Sequence, residues 1–196
     1  PLAPSLCYNS VDENVGELKN TGVEIDLKGT LIHTRDFMWR LGLNLTHYKN
    51  VVTDLPLKDM PVSGVHKLAV GRSVYDFYMK QWAGVDPENG DPLWYKNVKD
   101  ANDKITGRTT TNDYAQADYY YTGKSSLPKV YGGFNTAFSY KGFELSTIFA
   151  YSIGNYIVDR DVTMLWHNGS STGRAWSTEI LNRWTPENRY TDVPAL

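Results

Sequence analysis

Cysteine is nearly absent: Cys7 is the only one in 196 residues, so no disulfide can close within the chain and no thiolate metal cluster can form. Its neighbours Pro4, Ser5 and Leu6 make a poor lipoprotein cleavage site, because the residue before the cysteine is not small and no basic, apolar leader precedes it. No run of about eighteen apolar residues occurs, which excludes a membrane-spanning helix but not a membrane barrel, whose strands are only half apolar. Neither sign of charge dominates, with 20 Lys and Arg against 22 Asp and Glu, so no basic field points to nucleic acid. The sequence opens on Pro1 without an initiator Met and stops at Leu196 just after a loop, and is expected to be a piece of something larger.

What the sequence does have is aromatic residues and alternation. Aromatics make up 13%, with 14 Tyr and 6 Trp; membrane barrels carry such rings at their two interfaces, and sugar-binding surfaces also use them. Val23, Ile25, Leu27 and Leu31 share one parity while Glu24, Asp26, Lys28 and Thr30 share the other, the period of a strand with one apolar face. Phe37, Trp39, Leu41, Leu43 and Leu45 repeat the rule, and His33 to Asp36 make the short polar turn of an antiparallel hairpin. A second, less regular hairpin runs through Phe134, Phe138 and Tyr140, turns at Lys141 and Gly142, and continues through Phe143, Leu145, Phe149 and Tyr151. Strands of about nine to eleven residues suit a tilted barrel wall better than a soluble sheet.

The wall strands are placed at about 14–50 and 128–156, with long connections at about 51–127 and 157–196. The first connection is too long to be structureless. Ser73 to Gln81 is read as extended or weakly helical, and Trp82 to Tyr95 as a hairpin around Asn89 and Gly90. Lys96 to Gln116 reads as polar and mobile, and Pro128 as the first residue of a strand. In the second connection, Trp176, Ile180, Leu181 and Trp184 have helical spacing, with Ser177 or Thr178 available as a cap, so a short helix is expected within Ala175 to Trp184. Short turns on one side and long connections on the other form the asymmetry of outer-membrane barrels, but four strands cannot close one.

These stretches resemble a known family. NVGELKNTGVEIDLKGTLI (Asn14 to Ile32), DFMWRLGLNLTHYKNVV (Asp36 to Val52), VGRSVYDFYMKQWAGVDPENGDPLW (Val70 to Trp94), LPKVYGGFNTAFSYKGFELSTIFAYSIGN (Leu127 to Asn155) and RWTPEN (Arg183 to Asn188) are similar to the C-terminal half of SusC/RagA-type TonB-dependent outer-membrane transporters. Lys96 to Gln116 and Asp161 to Thr172 are less typical. The resemblance implies an all-β fold, antiparallel strands forming part of a barrel of about 22 strands around an N-terminal plug, with long extracellular loops. It also implies energy delivered through the TonB complex, oligosaccharides or peptides as cargo, and a SusD-like lipoprotein as lid. Outer-membrane lipid would meet the apolar parity and the wet interior would meet Glu24, Asp26, Lys28, Arg40 and Asn44.

No catalytic constellation stands out, and no cofactor is implied. Gly123, Lys124 and Ser125 echo a phosphate loop, but Asp118 stands where it needs Gly. His33, His47, His66 and His167 are scattered, and Asp86, Glu88, Asn89, Gly90 and Asp91 lack the remaining ligands of a calcium loop. Asp159 and Asp161 could serve a glycosidase only at a separation the sequence does not set. Asn44 and Asn168 head glycosylation-like triplets, which carry no weight in a bacterial barrel. The candidate binding residues are the rings of the first connection, Trp82, Trp94, Tyr95, Tyr119, Tyr120 and Tyr121, flat amphipathic faces for a glycan or a partner surface. The competing role for them is the small core of the loop itself. Trp39 and Tyr48 are expected as girdle residues facing lipid or its interface. Two other readings compete with the transporter. One is a soluble carbohydrate-binding β-sandwich that buries the Leu41, Leu43 and Leu45 face under a second sheet; the other is a secreted hydrolase domain.

Overall fold

A computed structural model of the chain describes residues 16–56, 59–62, 64–167, 169 and 171–196; Cys7, the irregular opening and Asn168 lie outside the described residues. In chain order the strands are β1 (Glu17–His33), β2 (Phe37–Asp54), β3 (Asp59–Val62), β4 (His66–Ala69), β5 (Asp76–Lys80), β6 (Trp82–Val85), β7 (Pro92–Lys99), β8 (Ile105–Thr111), β9 (Tyr119–Ser125), β10 (Val130–Tyr140) and β11 (Phe143–Ile153). Helix α1 (Arg160–Leu165) follows, and 3-10 turns sit at Tyr114–Gln116 and Thr178–Asn182. No helix of the described residues is long and apolar enough to cross a membrane, which says nothing about crossing by strands. Two compact units result, one reaching to Asp76 and resuming over Ser125–Asn155, the other made of Phe77–Lys124 and Tyr156–Leu196.

The first unit is built on an antiparallel sheet in the order β1-β2-β10-β11, so the two hairpins expected from alternation lie side by side. Residues directly opposite one another share a face, and the register therefore draws rows across all four strands. Leu27, Leu43, Phe134 and Phe149 form one row, and Ile32, Trp39, Phe138 and Leu145 another. Rings touch along these rows: Phe134 stacks on Phe149 at 4.5 Å and Trp39 on Phe138 at 5.5 Å between centroids. The opposite face carries Asp26 beside Asn44, and Thr30 beside Arg40 and Ala137. There Arg40 reaches past the small Ala137 to Glu144 at 3.0 Å, and both line a depression of about 590 Å³. Among the described residues the apolar face is left uncovered: Leu27 stays 60% exposed, Leu145 63% and Phe143 81%. The second sheet that a sandwich would need over this face is absent among the described residues.

Turn chemistry fixes the register. Lys141 and Gly142 both take positive φ, 45° and 88°, the mirror-image turn whose twist suits a two-residue hairpin, and the β10–β11 pairing runs without a slip from Tyr140 and Phe143 to Val130 and Ile153. The expected irregularity of this hairpin is thus one of side-chain polarity only. Thr136 and Thr147 sit opposite each other on the apolar side, where the Thr136 hydroxyl accepts the Trp39 indole N–H at 2.8 Å.

Several boundaries differ from expectation. β10 and β11 are 11 residues each, but β1 and β2 run for 17 and 18, because nothing from Tyr48 through the β-branched Val51 and Val52 breaks the β preference. Pro128 precedes β10, which starts at Val130. Tyr48 is not on the girdle face: it pairs with Gly22 on the parity of Thr46 and Asn50, edge-on to Tyr131 at 6.3 Å. At this end of β2 the buried Asn50 side chain is held at three points, donating to Asn20 at 2.7 Å and accepting from the Ser73 hydroxyl and the Val74 N–H, each at 3.1 Å.

The second unit holds its own small core, where Phe77, Ala117, Tyr120 and Val193 are buried. The Ser73 to Gln81 stretch yields strand β5, and the hairpin around Asn89 and Gly90 is present as β6 and β7. Lys96 to Gln116 is not a mobile loop, since β7 continues to Lys99 and pairs with β8 through Trp94–Thr111 and Asn97–Arg108. The helix expected within Ala175 to Trp184 is only the 3-10 turn Thr178–Asn182, capped by Ser177 as anticipated; the α-helix lies earlier, at Arg160–Leu165, capped by Asp159.

Candidate functional site

β6 and β7 set Trp82 directly opposite Trp94, so both indoles leave the hairpin on one face and meet edge to face at 5.7 Å. Trp94 then meets Tyr114 at 5.1 Å in the same manner. The opposing wall comes from the second connection. Leu165 and Trp166 end α1, and the Ser177 N–H donates to the Leu165 carbonyl at 3.0 Å, drawing the 3-10 turn and its Ile180 alongside. Together with Asp192, Val193 and Pro194 these residues enclose a cleft of about 690 Å³.

Hydrogen bonds tie the Val193 side of the cleft to the turn that joins β6 and β7. In the turn Asp86–Asp91, Asp86 accepts from the Glu88 N–H and Asn89 from the Asp91 N–H, each at 2.9 Å, and Gly90 takes φ +81°. Onto this turn the end of the chain docks: the Ala195 N–H donates to the Gly90 carbonyl at 2.9 Å, the Trp184 indole to the Pro87 carbonyl at 3.2 Å, and the Trp184 N–H to the Val193 carbonyl at 2.8 Å. The acidic turn is thereby a structural turn, and among the described residues no group of His, Cys, Asp and Glu could hold a metal ion. Asp159 is a helix cap, accepting the Val162 N–H at 3.0 Å. Lys124 lies within β9 rather than opening a helix, and its ammonium lies 4.9 Å from the Tyr156 ring.

The six rings singled out in the sequence do not converge. Trp82 and Trp94 line the cleft. Tyr119 and Tyr121 leave one face of β9 and flank Tyr78, at 5.5 and 4.8 Å. Tyr120 leaves the other face, is 8% exposed, and donates to Asn97 at 2.9 Å beneath the Arg108 guanidinium, 4.0 Å from its ring. Burial first, and then the Asp118 carboxylate, push the Tyr120 hydroxyl above the usual tyrosine range, with Arg108 opposing. Tyr95 sits at the outer reach of the same guanidinium, 5.9 Å away. These four tyrosines build the unit rather than the cleft. Of the cleft residues not foreseen, Ile180 belonged to the helically spaced set, whereas Trp166, Asp192 and Val193 follow no period.

No protein-family model matches the chain. It is 29% identical over 204 aligned residues to the TonB-dependent receptor P26 of Formosa agariphila, a match covering 95% of the chain and 20% of that receptor. To the TonB-dependent receptor SusC of Bacteroides thetaiotaomicron it is 27% identical over 159 residues, covering 74% of the chain and 15% of SusC. The fold superposes on the RagAB peptide transporter with a TM-score of 0.80 at 30% identity, and on the closed-closed state of the RagAB peptide importer with 0.82, in each case over 100% of the chain and 22% of the solved one. The chain thus spans about a fifth of the relatives it matches, as it spans 20% of P26. In sequence and in fold it corresponds to a stretch of a SusC/RagA-type TonB-dependent outer-membrane receptor.

Proposed function

We propose that the chain supplies four wall strands and two extracellular loops of an outer-membrane importer driven through the TonB complex, which takes up oligosaccharides or peptides beneath a SusD-like lipoprotein lid. The observation that carries this reading is the uncovered apolar face of the β1-β2-β10-β11 sheet. Residues such as Leu27, 60% exposed, and Leu145, 63% exposed, stand in rows that run unbroken across the sheet. In water such a face would drive aggregation; against hydrocarbon it costs nothing, and alternation then puts Asp26, Arg40 and Glu144 in the wet interior. In this arrangement Trp82 and Trp94 are the cargo- or lid-facing rings, and Tyr95, Tyr119, Tyr120 and Tyr121 shape the loop that presents them.

Site-directed labelling tests the topology. In the intact receptor with Cys7→Ser and any cysteine outside these residues also replaced by Ser, single cysteines at Asn112 and at Lys141 are treated on whole cells with a membrane-impermeant maleimide. Reaction at Asn112 and protection at Lys141 until the outer membrane is opened is the expected result; the reverse pattern overturns the orientation, and equal reaction at both overturns the membrane wall.

A further inference from the structure

The tryptophan-lined cleft of the second unit has a chemistry that separates the two cargo classes. We propose that it binds polypeptide and not carbohydrate, taking an aromatic or branched aliphatic side chain between Trp82, Trp94 and Trp166, with a basic neighbour turned toward Asp192. The inference rests on the importer reading and names the ligand class of its loop unit.

Three of the chain's six tryptophans line this one space, with Ile180 and Val193 beneath them. A sugar ring stacks well on indole, but it carries hydroxyls around its rim, and each one buried without a partner costs about 1–3 kcal/mol. The polar side chains in the lining are those of Ser177 and Asp192, and one lone pair of the Ser177 hydroxyl is taken by the Glu179 N–H at 3.3 Å, so at most these two side chains can meet the several hydroxyls of a sugar. A sugar entering here would satisfy little of its rim. An apolar side chain asks for no partner, and burying one fully is worth about 1.5–3 kcal/mol.

Charge adds a direction. Asp192 is exposed at the edge of the cleft, and no basic side chain lines the space, so the local potential favours a Lys or Arg next to the buried side chain and disfavours Asp or Glu. Size argues for a free peptide over the surface of a folded partner. A volume of about 690 Å³ lies within the range of roughly 300–1,000 Å³ typical of small-ligand sites, whereas a stable interface between folded proteins spreads over about 800 Å² per partner. The site is also preformed, since Trp184 and Ala195 pin the Val193 wall to the Asp86–Asp91 turn.

The test uses the intact receptor purified in detergent, with binding read by tryptophan fluorescence and calorimetry. The probes are capped tripeptides Ala-Phe-Lys and Ala-Phe-Glu, and maltotriose. Ala-Phe-Lys should bind, Ala-Phe-Glu about tenfold more weakly, and maltotriose not at this site. Trp82→Ala should weaken the peptide at least about tenfold, Trp82→Phe should retain most of the affinity, and Asp192→Asn should bring the two peptides to equal affinity. Peptide binding that ignores Trp82→Ala overturns the proposal, as does maltotriose binding that is lost in Trp82→Ala. Uptake by cells is followed separately: a receptor that still supports nutrient uptake but whose cleft takes no peptide overturns this inference alone, and loss of uptake with peptide binding intact overturns the importer reading alone.

Discussion

The ring of Trp184 lies directly over Gly90, so that a methyl group added at Gly90 would stand 2.6 Å from the indole and 2.8 Å from the Ala195 side chain. Gly90 also holds φ +81°, where an L side chain costs about 1–2 kcal/mol before any clash. Gly90→Ala is therefore expected to lift the end of the chain off the turn, freeing the segment that carries Asp192 and Val193. Hydrogen exchange on the intact receptor should show faster exchange over residues 184–195 and no change in β1 or β2. Unchanged protection of that segment would refute the pinning role of Trp184.

Leu43 and Asn44 are neighbours in sequence with opposite surroundings. Leu43 stands between Leu27 and Phe134, and Asn44 between Asp26 and Gly133. If the Leu43 row meets hydrocarbon near mid-membrane, Leu43→Arg should cost roughly 2–4 kcal/mol, while Asn44→Ser should be nearly silent. Yield of the heat-modifiable folded form in the outer membrane, followed by unfolding titration in vesicles, measures the difference; equal tolerance at the two positions contradicts a lipid-facing row.

Tyr120 gives the loop unit a sensitivity to alkali. Its hydroxyl is held above the usual tyrosine range by burial and by Asp118, so the folded unit keeps a proton that the unfolded chain releases near about pH 10. The stability tied to that proton is whole below that pH and is lost as pH rises through the higher folded value. Tyr120→Phe should flatten the alkaline loss while forfeiting the bond to Asn97, a change of about 1 kcal/mol at neutral pH. Cleavage within residues 77–124 by an alkali-tolerant protease, compared across pH for the two proteins, reads both effects.

The four-stranded sheet was legible because its period is pure. Leu41, Leu43 and Leu45 alternate with Gly42, Asn44 and Thr46 over a length no helix pattern shares, and Lys141–Gly142 marks its turn. Strand ends were not legible, since nothing in Lys49 to Val52 breaks the β preference. β8 was missed for the opposite reason: Ile105, Thr106, Gly107, Arg108 and the threonines after it are exposed on both faces except for Thr111, so order comes from backbone pairing with β7, which leaves no apolar signature. The helical spacing of Trp176, Ile180, Leu181 and Trp184 misled, because those side chains serve different neighbours. Ile180 lines the cleft and Trp184 covers Gly90, so the residues share no helix face. Trp82 and Trp94 were identifiable as binding candidates by their chemistry, but only the fold separates them from Tyr119 and Tyr121, which were equally good on that criterion and are spent on Tyr78.

Trp39 and Thr136 give the sharpest test of how the apolar face manages a polar atom. The indole N–H of Trp39 finds its acceptor in the Thr136 hydroxyl at 2.8 Å, and that hydroxyl lies 3.4 Å from the Arg40 carbonyl. Thr136→Val keeps the side-chain shape and the β preference while removing the acceptor. In water the stranded N–H would find a solvent partner and the change would be nearly neutral; against lipid it has none, and the loss should approach about 1–3 kcal/mol. Adding Trp39→Phe removes the donor as well and should restore part of that loss, a positive coupling that unfolding titrations of the four proteins of the cycle in vesicles would measure. A Thr136→Val protein as stable as its parent would place this row in contact with water, and the wall would then face the other way.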